Sequence, residues 1–422
     1  MTTASDTTRG RPQPLPGDRS VPRSRVNAGD VEIDRRGRSR RAPAFLSYGF
    51  RPFFLLGAIY ASLAVPLWLW TYFGGAAPLG PSGGVAWHAH EMLFGYLGAV
   101  MAGFILTAVP NWTGRLPLSG APLAGLVTLW LIGRVAMFLH PEPLSTAALD
   151  LAFPLALAAA VWREIVAGRN LRNAPVALLL TLFAFANLLD HAGGFSASLE
   201  GYGIRLGLGV AALLIALVGG RVTPSFTRNW MARLQLAPLP AAMDHLDRIA
   251  LGVTAIAVIG WVIAPDASAV ATGLLAAGIF LFARLARWHG HRAVEEPIVL
   301  VLHLGYLWLA TALFLLGAAG LLPSLVPATS AVHALTAGAV GTMTLAIMTR
   351  ASRGHTGRAL TADGATVSIY ILVTLGAVLR VLAPFMGDLY APVLVLGGIV
   401  WSAAFALFAI SYAPMLIGRP AT

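Results

Sequence analysis

The sequence predicts an all-α polytopic membrane protein of about twelve transmembrane helices, arranged as three repeats of four. Apolar residues make up 57% of the chain and charged residues 11%, a balance that a water-soluble globule of this size does not carry. Hydrophobic runs recur along the chain, each near the roughly twenty residues that cross a ~30 Å hydrocarbon core as a helix. All 29 basic residues are arginine, and outside the N-terminal tail they gather on alternate loops.

The runs lie at 53–73, 86–110, 121–139, 146–166, 174–192, 204–224, 247–264, 267–286, 297–320, 328–349, 365–385 and 391–414. Ahead of them, residues 1–44 hold ten arginines among Pro, Ser, Asp and Gly, too few apolar groups to fold alone. This tail reads as a disordered cytoplasmic segment, with contact to anionic lipid as the other reading. It has no apolar core and cleavage site of the signal-peptide kind. Residues 45–422 form one transmembrane domain.

Spans two, six and ten share small residues along one face and a polar ending. The endings are Asn111-Trp112-Thr113-Gly114-Arg115, Ser225-Phe226-Thr227-Arg228-Asn229 and Thr349-Arg350-Ala351-Ser352-Arg353-Gly354-His355. Their spacing of four spans predicts a threefold repeat, and repeats in membrane folds place sites where the units meet. The same endings also arise simply where a helix leaves the membrane.

Arg115, the group Arg163, Arg169 and Arg172, the group from Arg221 to Arg248, the group Arg284, Arg287 and Arg292, and the group Arg350, Arg353 and Arg358 all fall on one side. Positive charge favours the cytoplasm, so both termini are expected there. Topology thus accounts for the net charge of +11 without a nucleic-acid partner.

The chain has no cysteine, which excludes disulfides, iron–sulfur clusters, thiolate metal sites and covalent haem c. Any metal must be held by His, Met, carboxylate or backbone oxygen. Of ten histidines, His88, His90, His140, His191 and His333 fall toward the outer side, and ionisable groups at span entrances point to ligand, proton or ion sites. His245, His289, His291 and His355 fall in cytoplasmic loops, with His289 and His291 spaced as a metal pair, and His303 sits in the inner part of span nine.

On a regular helix His88 and His90 point roughly 200° apart, so only one of them shares the stripe His88, Glu91, Gly95, Gly98, Ala102. Span ten repeats the pattern with His333, Ala337, Gly341 and Thr344. Two imidazoles at similar depth above small-residue grooves suit bis-histidine ligation of a noncovalent haem b. The structural alternative is that each imidazole hydrogen-bonds a neighbouring helix. Glu91 would orient a ligand imidazole or relay a proton. Arg134, Arg205 and Arg380 lie near outer span ends and need a negative partner; Arg134 and Arg380 are expected at the haem propionates. His140 and His191, beside Asp190, are candidate copper ligands, since imidazole suits that metal.

Several motifs together resemble the NnrS family over about residue 45 to the end. They are Phe50-Arg51-Pro52-Phe53-Phe54, Trp87-His88-Ala89-His90-Glu91-Met92, Asn111-Trp112-Thr113-Gly114, Phe226-Thr227-Arg228-Asn229, His333-Ala334-Leu335-Thr336-Ala337-Gly338 and Gly354-His355-Thr356-Gly357-Arg358. Ser225 departs from the pattern, where a second aromatic is expected. The resemblance implies a bacterial inner-membrane protein containing haem and copper, made in response to nitric oxide and linked to denitrification or nitrosative stress. It marks His88, His90, Glu91, His333 and His355 as leading positions, with Arg350 and Arg358 in the same boundary motif. A more distant likeness is to haem-copper oxidases and nitric-oxide reductases, which also have twelve helices in three arcs and ligate haem from the second and tenth.

The expected function is therefore haem-dependent, with nitric oxide or a related small molecule as partner and lipid as surroundings. The sequence leaves open whether the chain is an enzyme, and it does not indicate an oligomeric state. The alternative class is a secondary transporter of a metal, haem or small anion, coupled to protons through Glu91.

Overall fold

The computed structural model describes residues 43–75, 84–139 and 142–419. The tail expectation, apart from its last two residues, and the candidate ligand His140 lie outside this set. Among the described residues all regular structure is helical. Twelve segments are long and apolar enough to cross a membrane: α1 Phe50–Tyr72, α2 Gly84–Thr113, α3 Ala121–Leu139, α4 Pro143–Ala167, α5 Leu171–Gly193, α6 Ala197–Arg233, α7 His245–Ile263, α8 Ser268–Ala286, α9 Pro297–Leu321, α10 Ala328–His355, α11 Gly364–Phe385 and α12 Gly387–Ile417.

Hydropathy located these spans to within a few residues, with one large exception. Helix α6 runs well past its apolar stretch because Gly220–Arg233 continues as helix. There Trp230 and Met231 pack on Ala293, Ile298 and Val299 in a small separate core, while Thr227 accepts or donates a 2.8 Å bond with His303 Nε2. Tertiary packing, not hydropathy, extends the helix.

Helix packing repeats with a period of four. Helix α12 lies on α1, α4 on α5 and α8 on α9; α3 pairs with α4, α7 with α8 and α11 with α12. Helices α2, α6 and α10 touch one another, and α2 and α10 are the most enclosed spans at 83% and 72% buried. This is the arrangement the threefold repeat anticipates. Each of the three inner helices also contains a π-helical stretch: Glu91–Leu97, Ile215–Gly219 and Ala334–Val340. Such stretches insert residues into the helical turn, re-aim the side chains that follow, and concentrate at functional sites.

The ends of the chain are tied together by Arg51. Its guanidinium is 1% exposed and Nη1 donates to the carbonyls of Leu416 at 3.0 Å and Gly418 at 2.6 Å, satisfying acceptors left open at the end of α12.

Candidate functional site

Two adjacent sites occupy one end of the bundle, where α2 and α10 begin and α11 ends. They lie on opposite faces of the segment Trp87–Glu91.

The first is an apolar cavity of about 260 Å³ walled by α1, α2, α6, α10, α11 and α12. His88 from α2, His333 from α10 and Arg380 from α11 all line it. His88 stacks on Trp68 with ring centroids 4.1 Å apart, which fixes the ring plane but satisfies no nitrogen. Its Nδ1 is buried without a hydrogen-bond partner, and so is Nη1 of Arg380. Buried polar atoms are rarely left so, and each one needs an account. His333 is held differently: Nδ1 donates to the Thr329 carbonyl at 2.7 Å, which leaves Nε2 with its lone pair. A backbone acceptor on one nitrogen is the usual support of a metal-ligating imidazole. Beside the indoles of Trp68 and Trp401 and the hydroxyls of Tyr96 and Thr336, this wall thus carries two imidazoles and a cation in apolar surroundings. They suit a flat, largely apolar group that bears carboxylates and a metal able to take imidazole ligands.

The wall differs from the stripes read off the sequence. From α2 it takes His88, Ala89, Met92, Leu93, Tyr96 and Leu97; from α10 it takes Val332, His333, Thr336, Ala337 and Val340. Gly95, Gly98, Gly341 and Thr344 are absent from it, because the π-helical stretches break the regular register on which the stripes were drawn.

The second site is a polar cluster built from α1, α2, α3, α4 and α5. His90, 3% exposed, has Nδ1 2.8 Å from Asp190 Oδ2 and Nε2 3.0 Å from Asp150 Oδ2. His191 Nε2 lies 3.0 Å from the same Asp150 oxygen, and Asn187 Nδ2 donates to it at 2.9 Å. Arg134 donates through Nη2 to Asp150 Oδ1 and through Nη1 to Glu91 Oε1, and the Tyr60 hydroxyl donates to Glu91 Oε2. Gly95 makes room for this: a Cβ there would sit 2.6 Å from Arg134 Nη1 and 2.9 Å from Glu91 Oε2. Its carbonyl accepts from Trp130 Nε1 at 2.9 Å.

Three carboxylates, Glu91, Asp150 and Asp190, meet one guanidinium here. The shortfall of positive charge must be met by protons on His90 and His191 or by a cation between them, since unpaired buried charge is costly. One ligand atom each from His90, Asp150 and His191 lies within 4.8 Å of the others, close enough to share a metal ion. Two imidazoles and a carboxylate on one side of an ion, with the remaining positions open, form a recognised transition-metal donor set. Asp190 would orient His90 from its other nitrogen, as outer-shell carboxylates do.

Several expectations change. Arg134 is not a cavity arginine; it is spent on Glu91 and Asp150. Glu91 lies beside the His90 imidazole, 3.9 Å away, in the polar cluster, and does not line the cavity. His90 has both nitrogens on carboxylates and does not line the cavity, which removes it as an axial ligand. His191 joins His90 and Asp150, while His140 lies outside the described residues. Asp150 was not singled out from the sequence. Its signal was a lone carboxylate in an apolar run, Ala147-Ala148-Leu149-Asp150-Leu151-Ala152.

The boundary residues at the opposite end stand apart from both sites. Arg350 lies over the Phe226 ring, 3.6 Å from its centroid, so Phe226 alone supplies the aromatic contact beside Ser225. His355 packs against Phe50 at 5.5 Å, and Arg358 Nη1 donates to Thr356 Oγ1 at 2.9 Å. His303 is bound to Thr227, and the rings of His289 and His291 are 6.0 Å apart.

The model of the family described as NnrS protein matches residues 44–419, nearly the whole chain. No curated protein matches it. The chain belongs to the NnrS family, and its twelve apolar spans make it a multi-pass membrane protein.

Proposed function

We propose that this NnrS-family membrane protein carries a haem b between α2 and α10 and acts in the nitric oxide response of a bacterial inner membrane, in connection with denitrification. One observation carries the reading: His88, with an unpartnered Nδ1, His333, with Nδ1 anchored and Nε2 free, and Arg380, with an unpartnered Nη1, face a single apolar cavity. His88 and His333 would hold the haem iron, and Arg380 would pair with a propionate. Bound there, haem would supply one-electron redox chemistry.

The chain's own residues divide the remaining work. Trp68 holds the plane of His88, the Thr329 carbonyl holds the tautomer of His333, and the apolar walls exclude water. Copper, the second metal the family resemblance implies, would be held by His90, His191 and Asp150, with Asp190 orienting His90. Glu91, the proton-coupling residue of the transporter alternative, is tied to Arg134 and Tyr60, which favours the redox reading. The arginine pattern supports cytoplasmic termini, with both sites then toward the outer face.

The test is an optical spectrum of detergent-purified protein, oxidised and dithionite-reduced, from haem-replete cells. A stoichiometric Soret band with sharp reduced α and β bands is expected. A colourless preparation would make transport the leading reading.

A further inference from the structure

A second, smaller cavity of about 80 Å³ lies where α2, α5, α6 and α10 meet, and it is apolar along almost its whole wall. Leu97 and Val340 line both cavities, one residue from each of the two π-helical stretches at the larger site. Beside them Tyr96 lines the larger cavity and Thr344 the smaller, and their hydroxyls lie 2.5 Å apart. Thr344 Oγ1 is also 2.8 Å from the Val340 carbonyl, which uses its only hydrogen, so the Tyr96 hydroxyl donates to it. The partition therefore satisfies its own polar atoms and presents none to the smaller cavity. With too few polar partners to hold water, such a cavity stays dry and takes up apolar atoms or gases.

The rim of the smaller cavity, Phe104, Leu214, Val218 and Ile347, is only half-buried and sits well inside the spans, where the surroundings are hydrocarbon. Small uncharged gases concentrate in hydrocarbon relative to water.

We propose that the smaller cavity is the lipid-side entrance of an apolar path to the larger one, with Leu97 and Val340 as its constriction, and that it admits a small uncharged gas molecule. The path bypasses the polar cluster at His90. It extends the haem reading by naming the chemical class of the ligand and its route, and it rests on that reading only for the optical readout.

The experiment mixes reduced, purified full-length protein with nitric oxide solution by stopped flow and follows the Soret band. Leu214→Trp, which fills the smaller cavity from its rim and does not line the larger one, should slow the reaction about tenfold, a barrier increase of roughly 1.4 kcal/mol, while Leu214→Ala should speed it. The static spectrum and haem content should stay as in the parent. Rates unchanged in both variants of the haem-loaded protein would overturn the path. Xenon NMR of the same proteins separates the two readings. Xenon uptake lost in Leu214→Trp from a colourless protein keeps the path and removes the haem, whereas a parent that takes up no xenon has no path.

Discussion

His88 and His90, two residues apart on α2, serve different sites: His88 stacks on Trp68 in an apolar cavity, and His90 bridges Asp190 and Asp150 in a buried polar cluster. The short segment between them is the partition between a place suited to haem and a place suited to a metal ion. Substitutions on its two faces should have separable consequences.

At the apolar site the two imidazoles should outrank the arginine. His333→Ala should abolish the haem spectrum, whereas Arg380→Gln should keep the band positions and lower haem retention during purification. Arg380→Lys should restore part of that retention, because charge is kept while the planar fork is lost. An identical spectrum and full haem content in folded His333→Ala would exclude it as a ligand.

In the polar cluster, Arg134 is 7% exposed and is the one guanidinium among three carboxylates. Arg134→Met should destabilise the protein by about 3–5 kcal/mol, the cost of leaving buried carboxylates without their partner. Thermal unfolding in detergent would show it, and adding Glu91→Gln to the same chain should recover part of the loss. Equal stability of parent and Arg134→Met would mean that other cations carry the cluster.

Metal affinity should depend on residues in a graded way. His191→Ala or Asp150→Asn should remove bound copper, because each supplies a donor atom. Asp190→Asn, which touches the ion only through His90, should weaken binding about 10–100-fold. Copper titration of the metal-free protein distinguishes these, and a loss as complete in Asp190→Asn as in His191→Ala would make Asp190 a ligand itself.

A pH-dependent contribution sits at the opposite end of the bundle. The hydrogen bond from Arg287 holds the exposed carboxyl of Asp244, the N-cap of α7, down to about 2. A carboxyl whose folded value lies below its unfolded value, near 3.9, stabilises above the unfolded value and stops doing so as pH falls through the folded one. Asp244→Asn retains a capping oxygen and loses the ion pair. Its melting temperature should fall below the parent's at neutral pH, and the gap should close between about pH 4 and pH 2. A gap that persists at pH 2 would assign the effect to capping instead.

How much of this was legible before the structure depends on the physics each feature uses. Span number and approximate limits follow from hydropathy, since a bilayer forces long apolar helices. That His333, Arg380 and one of His88 and His90 face a common space was accessible from depth along the repeat. The sequence put His88 and His90 on different faces without saying which of them meets His333, and Arg134 was expected beside the cavity because nothing local to it names its partners Glu91 and Asp150 on other helices. Asp150 was missed because its partners Glu91, His90 and His191 lie on other helices, and a lone carboxylate in an apolar run does not say which distant groups will meet it.

The most direct test of the central claim is haem and copper content measured on the same purified samples of the parent, His88→Ala and His90→Ala. Two sites back to back predict that His88→Ala loses haem and keeps copper, and that His90→Ala keeps haem and loses copper. Loss of haem in His90→Ala with retention in His88→Ala would contradict the account.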